Sequence, residues 1–114
     1  MRYALLICTD ESATAAASPE ETATMHRGYD AFGAEMTTRG VLQGGERLRP
    51  TTDATTVRVS GGEVLVSDGP FAETKEQMAG FYLIDCKDLD EAIEIASKVP
   101  AAAHGTIEVR PIWE

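Results

Sequence analysis

Histidine, cysteine and positive charge are scarce in this 114-residue chain, and each scarcity excludes something. Cys8 and Cys86 lack CxxC spacing and have no clustered His/Cys partners, so the usual redox and structural-zinc motifs are missing. They read as core thiols. With 10 basic against 19 acidic residues the formal charge is -9, which disfavours attraction to a phosphate backbone and argues against nucleic acid as a partner. The apolar run from Tyr3 to Cys8 is too short for a signal-peptide core or a membrane span, so a cytosolic, cytoplasmic chain with no membrane partner is expected. No Walker or dinucleotide-binding pattern surrounds Gly44 and Gly45, and no cofactor or metal requirement is visible. The length suits one domain, 1–114, with a single core.

What is present is a sequence of ordered elements. Arg2 to Cys8 is almost unbroken apolar and suits a strand buried on both faces. Ser18-Pro19-Glu20-Glu21 predicts a helix start: Ser18 caps, Pro19 takes the first helical position and Glu21 completes a capping box. Met25, Tyr29, Phe32 and Met36 form one apolar stripe, and Gly40 offers the left-handed conformation that ends the helix. Val41 to Leu48 reads as a strand with a bulge or close backbone approach at Gly44-Gly45. Thr56–Ser60 and Glu63–Ser67 flank Gly61-Gly62, the signature of a two-residue hairpin inserted in the basic fold. Gly80 to Cys86 is a further strand. Asp88–Glu91 repeats the capping pattern before the stripe Leu89, Ala92, Ile93 and Ala96, and Pro100 limits that second helix. Ile107 to Arg110 alternates as a last strand. The order β-α-β, hairpin, β-α-β predicts an α+β, ferredoxin-like βαββαβ sandwich with an inserted β-hairpin. In that fold the two cysteines would close neighbouring antiparallel strands at opposite edges of the sheet, out of disulfide reach.

Helices on one side of a sheet leave the other side wet, yet Leu5-Leu6-Ile7 and Phe81-Tyr82-Leu83-Ile84 are apolar in both directions. A homodimer packed sheet against sheet is therefore expected.

Between the hairpin and the next strand stand Asp68-Gly69-Pro70-Phe71-Ala72-Glu73-Thr74-Lys75-Glu76, with Gly40–Glu46 and Thr56–Val59 before them and Gly80–Cys86 and Glu108–Pro111 after. This pattern resembles the DGPF-type members of the YCII-related family over nearly the whole chain. The resemblance implies a ferredoxin-like fold forming a dimeric α+β barrel, and members encoded beside sigma factors of the extracytoplasmic-function type. In the wider family a histidine on the first helix and an acid before a proline near the second helix look like a catalytic dyad. Here His26 lies on the first helix, but Val99 precedes Pro100.

Asp30, four residues after His26, is a possible orienting carboxylate, although a solvated pair is the simpler reading. Asp68 is the better candidate acid, set at a strand end before a turn; alternatively it only caps that turn, with Pro70 stiffening it and Phe71 anchoring it in the core. Glu73, Lys75 and Glu76 either line a site or form a solvated charge pattern. Arg58 and Tyr82 have the chemistry to bind a small polar or anionic ligand. His104, before Gly105, reads as a turn residue. Three readings stay open: an enzyme-like cleft in which Asp68, with His26, transfers protons on a small polar molecule; a non-catalytic ligand- or protein-binding regulatory module; and a dimeric scaffold.

Overall fold

The computed structural model describes all of residues 1–114. The first apolar run forms β1 (Arg2–Thr9), where Tyr3, Leu5 and Ile7 are buried while Ala4 and Leu6 on the opposite face are half-buried. A short helix α1 (Glu11–Ala16) follows, capped by Asp10, which accepts the Ser12 N–H. It buries no side chain, so it leaves no apolar periodicity in the sequence, and it was not expected.

Helix α2 (Pro19–Thr38) starts on the predicted capping box: the Ser18 hydroxyl accepts the Glu21 N–H at 3.1 Å, and the Glu21 carboxylate accepts the Ser18 N–H at 3.2 Å. At its other end Gly40 adopts φ 73°, its N–H donates to the Thr37 carbonyl and that of Val41 to the Met36 carbonyl. These are the two bonds of a Schellman stop.

The remaining elements are β2 (Leu42–Arg47), a 3-10 turn at Thr51–Asp53, β3 (Thr55–Ser60), β4 (Glu63–Asp68), β5 (Gln77–Asp85), α3 (Leu89–Ser97), a second 3-10 turn at Pro100–Ala103, and β6 (Thr106–Pro111). Strands β2, β5, β1 and β6 pair antiparallel, in that order, as one sheet. The chain is thus α+β, with an architecture compatible with a ferredoxin-like fold. The glycine interruption in β2 is a register shift between Leu42 and Gly44 followed by close approach: a Cβ on Gly45 would stand 2.5 Å from the Phe81 carbonyl oxygen.

Helices α2 and α3 pack on one sheet face. Phe32 and Met36 from α2, and Ala92, Ile95 and Ala96 from α3, join Tyr3, Leu5, Ile7 and Ile84 in one buried cluster. The predicted α3 stripe is therefore corrected: Leu89 and Ile93 are exposed, and Ile95 and Val99 take their place. The cysteines are free, Cys8 half-buried and Cys86 buried. They do not lie at opposite edges of the sheet. Cys8 closes β1 and Cys86 follows β5, so they sit at opposite ends of the two central strands, which still keeps them apart.

The second sheet face has no cover within the chain. Ala4 stands opposite Leu83 and Arg110, and Leu6 opposite Phe81 and Glu108, which gives an apolar centre of Ala4, Leu6, Phe81 and Leu83 with charge along the β6 side. Strands β3 and β4 form a separate two-stranded arm in which every residue but Thr56 is exposed. Glycines 61 and 62, at φ 58° and 81°, make its tight turn as expected. The protein exposes 7831 Å². A compact monomer of 12.2 kDa exposes about 6,100 Å². Its radius of gyration is 16.0 Å, against about 13 Å for a compact chain of this length.

Candidate functional site

Where the arm joins the sheet, the chain encloses an open groove of about 690 Å³. Its walls include Thr51 from the β2–β3 loop, Thr56 and Arg58 from β3, Phe71 and Thr74 from the segment after β4, and Met78 at the start of β5. Hydroxyls, one guanidinium and two apolar surfaces converge there.

Hydrogen bonds from three directions fix these walls. The Thr51 N–H and hydroxyl both donate to the Glu11 carboxylate at 2.8 Å, tying the loop to α1. The Glu11 N–H donates to the Gln77 side-chain oxygen at 3.0 Å, while Gln77 Nε2 donates to the Thr74 carbonyl. The Thr106 hydroxyl donates to Glu76 at 2.8 Å, linking the segment to β6. At the arm's base, the Gly69 N–H donates to the Ala54 carbonyl and the Thr56 hydroxyl to the Gly69 carbonyl, each at 2.7 Å. With φ 90°, Gly69 holds a conformation that side chains disfavour. The turn is thus built by backbone and by Thr56, and the Asp68 carboxylate makes no hydrogen bond.

Phe71 corrects the expected anchor: it is 80% exposed and lines the groove instead of the core. Arg58 also lines the groove, and it joins none of the chain's ion pairs. Asp68, exposed at the end of β4, stands two residues from groove-lining Pro70. Glu73 and Lys75 are exposed and unpaired, outside the groove walls. Tyr82 lies elsewhere, half-buried on the helix-facing side of β5 with its ring centroid 5.0 Å from that of Phe32. Burial pushes its phenol up, as it does that of Tyr29. Its ring packs against the core, and it stands apart from the groove walls that include Arg58.

His26 and Asp30 are both exposed on α2 and share no hydrogen bond or ion pair. The second concavity, beside Ser18, Met25, Gly28 and Pro100, includes neither of them. No group of three or more His, Cys, Asp or Glu side chains is arranged to hold a metal. The sequence carries no signal for Thr51 as a groove wall or for Glu11 as the residue that anchors it, because their link joins elements 40 residues apart.

The YCII-related domain profile matches residues 1–114. The chain belongs to the YCII-related family. An uncharacterised protein of Rhizobium meliloti (strain 1021) is 49% identical over 114 residues, covering 98% of this chain and 92% of the relative. This YCII-related chain has no helix long and apolar enough to cross a membrane.

Proposed function

We propose that this YCII-related protein is a homodimeric binding module, acting in the cytoplasm, whose groove takes a small molecule with an apolar body and an anionic end. The observation that carries the reading is Arg58: an unpaired guanidinium on a groove wall that also bears Phe71 and Met78, in a chain of net charge -9. A guanidinium presents a fork of donors suited to a carboxylate or phosphate, whereas the Thr51, Thr56 and Thr74 hydroxyls donate within the chain, to Glu11, Gly69 and Glu76, which leaves the anionic end to Arg58. The apolar sheet face opposite the helices, centred on Ala4, Leu6, Phe81 and Leu83 and uncovered by any element of the chain, supports dimerisation sheet against sheet into an α+β barrel. A standard interface hides about 800 Å² per partner.

Proton transfer by Asp68 is the second reading, favoured by its position two residues from the groove wall. Pairing of Asp68 with His26 has no geometric support, since His26 is exposed on α2 and lines neither concavity. Contact with an extracytoplasmic-function sigma factor rests on the family resemblance, and co-purification tests it.

Thermal unfolding in the presence of benzoate, phenylacetate or phosphate tests the binding reading. Stabilisation by at least one of these anions that vanishes in Arg58→Met supports it. No stabilisation by any of the three, or equal stabilisation of the variant, contradicts it. A substrate turned over by the native protein and not by a folded Asp68→Asn variant would establish the second reading instead.

A further inference from the structure

The arm carries an apolar surface that meets the groove only at Val57. In its register Val57 pairs with Val66 and Val59 with Val64, and alternation along the two strands places all four on one face. Their exposures are 60%, 64%, 70% and 66%. The opposite face carries Arg58, Ser60, Glu63 and Ser67 with Leu65, so the arm is sided, with one face wholly apolar at its centre. No helix or second sheet of the chain covers either side.

We infer that the β3–β4 arm is an intersubunit clasp: its valine face docks on a second copy of this chain. The inference rests on the homodimer proposed above and extends it beyond the sheet face. Three observations select a second copy as occupant. First, the sheet-face residues Ala4, Leu6, Phe81 and Leu83 are already half-buried in the single chain, so they account for little of its roughly 1,700 Å² excess area, whereas the arm is exposed almost throughout. Second, the two surfaces are continuous. Met78 stands opposite Cys8, on the side of Leu6, and also lines the groove with Phe71 and Val57, so apolar surface runs from the open sheet face to the arm's base. Third, an isolated two-stranded hairpin is marginal in water. Its cover must be present whenever the chain is folded, and a second copy meets that condition at the chain's own concentration.

Sedimentation velocity on the full chain tests the clasp with the double variant Val59→Asp/Val64→Asp. Both side chains point to water in the single chain, so the fold should survive, and circular dichroism checks this. A folded variant whose dimer dissociates at least roughly 10-fold more readily than wild type supports the clasp. If the aspartate variant fails to fold, Val59→Ala/Val64→Ala serves in its place, with a weakening of several-fold expected. Wild-type-like association of the folded variant overturns the clasp while leaving the sheet-to-sheet dimer standing. A wild-type chain that is monomeric at tens of micromolar overturns the clasp and the dimer together.

Discussion

The Glu11 carboxylate grips Thr51 with both oxygens, one taking the amide N–H and the other the hydroxyl, each at 2.8 Å. Through this contact a short helix that buries nothing fixes the loop leading into the arm. Replacing Glu11 with Ala leaves both donors without their partner in a partly buried setting. A loss of about 1.5–3 kcal/mol in urea unfolding is expected, from the range for hydrogen bonds to a charged group. Amide exchange at Thr51 should also accelerate; unchanged stability and exchange would show that the contact holds nothing.

Gly45 lies where β2 approaches β5 most closely. A Cβ there would stand 2.5 Å from the Phe81 carbonyl oxygen and 2.7 Å from Tyr82 Cδ1. Gly45→Ala should therefore destabilise by about 1–3 kcal/mol through forced displacement of backbone. Gly44→Ala, where nothing lies within 4 Å, is the matched control and should cost much less in the same thermal melt.

Acid should weaken the fold through three carboxylates. The Ser18 backbone N–H holds Glu21 below the ordinary carboxylate range, the Lys98 ammonium lowers Glu35, and the Arg39 guanidinium lowers Glu94. Each therefore binds protons less readily folded than unfolded. Their stabilisation is complete above the unfolded value of about 4.3 and disappears as pH falls through the lower folded values. Denaturant titrations from pH 6 downward should show this decline, with a shallower slope in Glu21→Gln; identical slopes would remove the capping box from the cause.

Salt should strengthen self-association. Each chain carries a formal charge of -9, so two copies repel, and screening shortens the reach of that repulsion to about 8 Å near physiological ionic strength. Sedimentation equilibrium should give a smaller dissociation constant as sodium chloride is raised. Dissociation promoted by salt would instead mean that ion pairs across the interface hold the dimer.

Local chemistry made most of the fold legible. Ser18, Glu21 and Gly40 declare the ends of α2 because caps act within a few residues, and Gly61-Gly62 declares the hairpin because few other residues accept its dihedrals. Helix α1 was illegible, since Asp10 caps it but no apolar stripe follows. The site was legible in part. Arg58 lines the groove, and Phe71, read as a core anchor, lines it too, while Tyr82 packs on Phe32 away from the groove walls. Sequence patterns report that an aromatic wants cover without telling which surface supplies it. Thr51 and Glu11 depend on a contact across 40 positions, which no local pattern records.

The solution mass tests the central claim most directly, that a second copy covers the apolar sheet face around Leu6 and Phe81. Size-exclusion chromatography with light scattering at tens of micromolar should return twice the 12.2 kDa of one chain, falling toward the single-chain mass in Leu6→Asp. A wild-type mass of 12.2 kDa at that concentration would contradict it.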